Sequence, residues 1–169
     1  MQFAVGQTVV HPQHGPSTVI QLVKRSIHGV SRSYVDLQVH RTDLRVSVPV
    51  EVARDVGIRR PRTAGELEEL WEVLREPTLH EEEQWSRRMK GNHEKLRLGE
   101  LLRIAEVVRD LTRREGTRGI SAGEKDLLKH ARQPIVVEVG VALGLSDEEA
   151  EALLDAEIHC ESQAVPTAS

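Results

Sequence analysis

The stretch Gln84-Trp85-Ser86-Arg87-Arg88-Met89-Lys90 sets an indole among three cations, in a chain with only two Trp, one Tyr and one Phe. An indole is costly to leave in water, so it packs in a core or stacks on something. Two chemistries fit these residue types. As a plate between base steps, Trp85 would unstack nucleic acid while Arg87, Arg88 and Lys90 contact phosphates. As a core residue, it would pack between helices with its cations in water. On a helix, Trp85 and Met89 share a face that Asn92 and Leu96 continue. That face is mixed in polarity and leaves both readings open.

Catalytic patterns offer nothing stronger. There is no Walker loop, no G-x-S-x-G, no C-x-x-C and no H-E-x-x-H. His11-Pro12-Gln13-His14-Gly15 has two histidines across a proline turn but no further ligand nearby. It reads as a polar turn rather than a metal site. The single cysteine, Cys160, lies in an acidic stretch without a cationic neighbour to activate it. It reads as a buried or half-buried structural thiol. No enzyme, cofactor or metal is expected.

The net charge of −4 hides an uneven distribution. Residues 1–60 carry a net +4, residues 61–84 a net −6, residues 85–132 a net +6 and residues 133–169 a net −8. The basic block thus begins at Trp85. Such asymmetry marks either a nucleic-acid footprint or a set of solvated helix faces. No apolar run approaches the roughly 20 residues needed to span a bilayer. The N-terminal MQFAVGQTVV lacks the basic-then-apolar order of a secretory signal. The single cysteine suits a reducing compartment, and a cytoplasmic location is expected.

The elements that must position these residues change period near residue 62. Thr8–His11 and residues 17–23 are short extended runs, the second rich in β-branched residues. Val35, Leu37 and Val39 alternate with polar residues, as do Leu44, Val46, Val48 and Val50. Period two means one face buried and one wet. Turns are expected at His28-Gly29 and at Arg41-Thr42-Asp43. After Pro61, three segments open with a capping-box pattern: Thr63 to Glu66, Ser121 to Glu124 and Ser146 to Glu149. Leu67, Leu70, Trp71 and Leu74 then form a core stripe, as do Leu101, Ile104, Ala105, Val108 and Leu111. Leu153, Leu154 and Ile158 do the same on the last helix. The glutamates at 81–83 and 148–149 read as helix beginnings. Residues 135–141 would pass for a strand. Pro134 precedes them, and a kinked helix is expected, since a lone strand there has nothing to pair with. The fold class is α+β: a small Tudor- or SH3-like antiparallel β-barrel over residues 1–62, an all-helical domain over 63–161 and a flexible tail over 162–169.

With these elements in place, the sequence resembles the CarD family (CarD/CdnL) of bacterial RNA polymerase-binding transcription regulators. The residues carrying the resemblance are Val5-Gly6-Gln7-Thr8-Val9-Val10 with His14-Gly15, and Leu44 through Pro49. They continue in Trp85-Ser86-Arg87-Arg88, in Ala105 through Leu111 and in Gly119-Ile120-Ser121-Ala122-Gly123-Glu124-Lys125. The resemblance implies an N-terminal Tudor-like domain, shared with the transcription-repair coupling factor, that docks on the polymerase β subunit. It implies a helical domain contacting promoter DNA at the upstream edge of the transcription bubble. There a tryptophan wedges into the minor groove and stabilises the open complex. Trp85 falls on the wedge position, with Arg87, Arg88, Lys90 and Lys125 on or near the DNA backbone. Arg25, Ile27, Arg45, Ser47 and Pro49 fall on the polymerase-facing part. A monomer with little sequence specificity is the expectation.

The chain departs from the family pattern at several positions. Ser47 stands where typical members carry a second polymerase-contacting arginine, and Arg45 lies two residues earlier on the same strand face. His11 replaces a tyrosine, Gly91 an alanine, and Pro134 interrupts an otherwise apolar helix. Two other readings stay open at this point: an autonomous DNA-binding repressor, and a protein-interaction adaptor with Trp85 buried.

Overall fold

The computed structural model describes residues 2–27, 29–40 and 42–160, with the side chain of Ile27 also outside the description. His28 and Arg41 of the two expected turns, and the tail over 162–169, lie outside the described residues. The chain separates into two compact units at Arg62 and Thr63.

In the first unit, β1 (Thr8–His11), β2 (Gly15–Ile27), β3 (Val30–Val39) and β4 (Arg45–Pro49) form one antiparallel sheet. The strands pair in chain order. Alternation places Val35 and Leu37 on the inner face, where they are fully buried with Val9, Val19 and Val48. Ala53 and Ile58 complete this cluster. The Val10 N–H donates to the Arg59 carbonyl at 2.8 Å, and the Arg59 N–H returns the bond at 3.1 Å. This isolated bridge brings the chain back to β1, beside a sheet curled as a half-barrel. His11 is buried, its ring centroid 4.6 Å from that of His14. Its Nδ1 accepts from the Gln13 N–H at 3.2 Å, as a polar turn requires.

One feature of β2 has no sequence signature. Val19 pairs with Leu37, yet Gln21 pairs with Asp36, so Ile20 is an inserted residue. Such a bulge flips the alternation of the strand. Residues 21, 23 and 25 therefore share the outer face with Tyr34 and Asp36.

In the second unit, a 3-10 turn (Ala64–Leu67) leads into α1 (Glu68–Arg75). Helices α2 (Trp85–Leu98), α3 (Leu101–Thr117), α4 (Ala122–Leu143) and α5 (Asp147–His159) follow. All three expected capping boxes form, at Thr63, Ser121 and Ser146. Helix α3 lies against α1, α2, α4 and α5. In the core, Val108 and Leu111 of α3 join Leu70, Leu74, Ile135, Val139, Leu154 and Ile158.

Helix α4 runs through Pro134 without a break. A proline inside a helix costs about 3 kcal/mol, whereas fully burying an aliphatic side chain returns about 1.5–3 kcal/mol. Ile135, Val136 and Val139 are all fully buried, so packing outweighs both the proline and the strand-like composition. Two expectations need correction. Glu81, Glu82 and Glu83 lie in the irregular segment before α2, not at a helix start, because the helix begins only after Gln84. Cys160 is exposed rather than structural, since it caps α5 beyond the last core residue, Ile158.

Candidate functional site

Helix α2 contributes no fully buried residue. Met89 and Leu96 touch the core from its edge. Polar ties therefore carry much of its attachment. The first joins the entrances of α2 and α4. The indole Nε1–H of Trp85 donates to Ser121 Oγ at 3.0 Å. Ser121 Oγ also accepts from the Glu124 N–H at 3.3 Å and donates to Glu124 Oε2 at 2.9 Å. A serine hydroxyl has one donor and two acceptor sites, so Ser121 is fully used. Glu124 Oε1 accepts from Arg88 Nε at 2.7 Å, which returns the circuit to α2 one turn after Trp85.

The environment of Glu124 is nearly dry. Burial pushes its carboxyl up, but Arg88 and the N–H and O–H of Ser121 outweigh this and hold it below the usual 4.5. The second tie is Lys95 to Glu106 at 2.8 Å, with Arg103 on the same carboxylate at 2.7 Å. Burial raises the Glu106 carboxyl and these two cations bring it below the usual range.

The outcome for Trp85 is an indole held at one edge and 52% exposed. It is not a core residue. Arg87 and Lys90 are exposed beside it, and no ion-pair partner is found for either among the described residues. Lys125, one turn into α4, is exposed and lies 3.7 Å from Glu115. Arg88 departs from expectation. Its side chain is 9% exposed, and its Nη1 donates to the carbonyls of Glu82 and Glu83 at 2.7 and 3.1 Å. With Glu124 on Nε, its guanidinium is committed inside the fold. Its Nε and Nη1 are thus bonded within the fold, on the turn after Trp85.

The outer face of the first unit gathers the other set. Arg25 lies over the Tyr34 ring at 5.1 Å. Its Nη2 reaches both carboxylate oxygens of Asp36 at 3.2 and 3.1 Å, and its Nη1 donates to Ser47 Oγ at 3.0 Å. Ser47 Oγ donates to Asp36 at 2.5 Å, and Gln21 adds a bond at 2.7 Å. Asp36 is buried. The Ser47 hydroxyl leads in holding its carboxyl below the usual range, against the cost of burial and with help from Gln21, Arg25 and Arg45. Arg45 donates through Nε to Gln38 at 3.1 Å. Pro49 stands opposite Tyr34 on this face. Ile27 ends β2 by its backbone, and its side chain lies outside the described residues.

Three residues central to these arrangements escaped sequence reasoning in these roles: Ser121 and Glu124, seen only as a cap, and Asp36, seen only as a polar position. Sequence spacing held no clue to Arg88–Glu124, which are 36 residues apart. The Asp36 cluster depends on the bulge at Ile20. Among the described residues no group of three potential metal ligands is found, and no helix is long and apolar enough to cross a membrane.

The chain is thus a curled β-unit followed by a helical unit that carries an exposed indole. Residues 3–61 match the CarD-like/TRCF RID domain family, and residues 69–155 match the CarD C-terminal domain family. The chain belongs to the CarD family. It is 24% identical over 147 residues to the protein named "Putative transcription factor YdeB" of Bacillus subtilis (strain 168), covering 87% of this chain and 96% of that one. It is also similar to the 72-residue N-terminal domain of Myxococcus xanthus CarD, solved in solution. There the identity is 27%, with 35% of this chain and 79% of that one covered and a TM-score of 0.31.

Proposed function

We propose that this protein is a cytoplasmic transcription regulator that docks on the RNA polymerase β subunit and stabilises the promoter open complex. The first unit docks through the face carrying Arg25 and Arg45. The second presents Trp85 to the minor groove at the upstream edge of the bubble. Arg87, Lys90 and Lys125 contact phosphates, and Arg88 holds the wedge in place instead.

The observation that carries this reading is the state of Trp85. A wedge needs a rigid apolar plate already oriented before DNA arrives. The indole is fixed at its N–H edge by Ser121 and leaves about half its surface open. A reading in which Trp85 is buried core has no support from that exposure. Neither the indole nor these cations read base edges in the major groove, so little sequence specificity follows. The acidic flanks keep affinity for free DNA low, and docking on polymerase supplies the effective concentration.

The test places 2-aminopurine at the upstream edge of the bubble in a promoter with cognate polymerase. Wild-type protein is expected to raise its fluorescence by unstacking the adjacent step, and Trp85→Ala is expected not to. An equal rise with both proteins would remove the wedge.

A further inference from the structure

The outer face of the first unit holds Arg25, Arg32 opposite it, and Arg45, together with the buried acid Asp36. Resting on the docking reading above, we infer that Asp36 is an internal counter-ion that limits the surface around Arg25 and Arg45 to capturing a single carboxylate of an acidic protein partner.

Arg25 has five N–H donors. At least two are spent: Nη2 lies 3.2 and 3.1 Å from the two oxygens of the one Asp36 carboxylate, which a single shared N–H satisfies, and Nη1 donates to Ser47. An arginine binds a carboxylate most strongly through two parallel N–H groups on one edge. Arg25 thus turns its Nη1–Nη2 edge to this chain's own Ser47 and Asp36, and Asp36 offsets its charge. Asp36 itself has no capacity left, since Gln21, Ser47 and Arg25 occupy both of its oxygens. Arg45 spends only Nε–H, on Gln38, and its Nη groups have no hydrogen-bond partner among the described residues.

A hollow of about 160 Å³ is lined by Arg25 and Arg45 together with Ser47, Asp36, Ile20 and Val46. The charges around it are Arg25, Arg45 and Asp36, a net of one positive. A net charge of one fits one carboxylate side chain, bound mainly by Arg45, whose Nη groups are unspent. Ser47 opposes Asp36 directly in the β3–β4 register, so a side chain at that position decides whether the acid turns to Arg25 or elsewhere.

The test measures affinity of the full chain for cognate core RNA polymerase at low and at high salt. The variants are Asp36→Asn, Ser47→Arg and Arg25→Ala, each checked for folding by circular dichroism. Asp36→Asn raises the local charge to two. It is expected to tighten binding about threefold at low salt, the Coulomb effect of one charge about 6 Å from a partner carboxylate in water. The gain is expected to shrink at high salt. Ser47→Arg gives Asp36 another partner and frees Arg25, so it is expected to tighten binding as well. Should Asp36→Asn unfold, Asp36→Ser, which likewise removes the charge, serves in its place. Arg25→Ala is expected to weaken binding. If Arg25→Ala weakens binding while the folded charge variants bind no tighter than wild type, the counter-ion inference is overturned and docking stands. If Arg25→Ala changes nothing, the docking reading falls and this inference falls with it.

Discussion

The chain contains its own control for the hydrogen bond that orients Trp85. The Ser121 and Ser146 boxes have nearly the same geometry: Oγ accepts from the Glu N–H at 3.3 Å in both, and donates to its carboxylate at 2.9 and 2.8 Å. They differ in two ways. Ser121 also accepts from Trp85, and its partner Glu124 is buried against Arg88 whereas Glu149 is exposed. Only the part of any difference in stability that Trp85→Phe removes therefore belongs to the indole. Removing a serine cap costs about 1 kcal/mol, and a hydrogen bond contributes a net of about 0.5–1.5 kcal/mol. The indole is half exposed, so its N–H finds water once freed, and the lower part of that range applies. Ser121→Ala is therefore expected to lose about 1.5–2 kcal/mol against about 1 kcal/mol for Ser146→Ala. Urea unfolding of the full chain, followed by far-ultraviolet circular dichroism, measures both. Repeating the pair with Trp85→Phe should shrink the excess by more than about 0.3–0.5 kcal/mol, the usual additivity error. An excess that Trp85→Phe leaves unchanged would refute the reasoning. So would two serine variants that lose the same amount in the wild-type background.

Further expectations concern α2 and its cations. Glu124 and Glu106 both have carboxyls held below their usual 4.5. Their contribution to stability is thus complete above the ordinary carboxylate range and is lost as pH falls through the lower folded-state values. Urea midpoints should hold steady from neutral pH to about pH 5 and then fall. The stability difference between wild type and Glu124→Gln should narrow over the same acid range. Gly91 lies inside α2, and a Cβ there meets nothing within 4 Å. Gly91→Ala is expected to raise stability by up to about 1 kcal/mol, read from the same curves. For duplex DNA, Arg87→Ala and Lys90→Ala should each lower the salt slope of binding by about 0.9. Arg88→Met should leave the phosphate count unchanged while destabilising the fold, because it strands the buried Glu124.

Local signals carried much of the architecture. The three capping boxes were legible because each is closed within four residues and needs no tertiary partner. Val35, Leu37 and Val39 announced their inner face by alternation alone. The register beyond Val19 was hidden, since an inserted Ile20 follows from how two strands meet, and nothing in the composition of β2 requires it. Through Pro134 the helix persists because Ile135, Val136 and Val139 face a core that only the folded unit provides. The sequence left Trp85 balanced between core and surface, because a sparse apolar face on α2 suits both. The pairing of Arg88 was hidden for a related reason: three neighbouring cations look equivalent until a buried acid from α4 selects one of them.

In the proposed function, Trp85 wedges open promoter DNA while the first unit holds polymerase. The most direct measurement is the lifetime of open complexes with cognate polymerase, after a competitor challenge, with no added protein, wild type and folded Trp85→Ala. The account predicts a longer lifetime with wild type and none of that gain with Trp85→Ala, although both bind polymerase equally. Equal lengthening by the two proteins would contradict it.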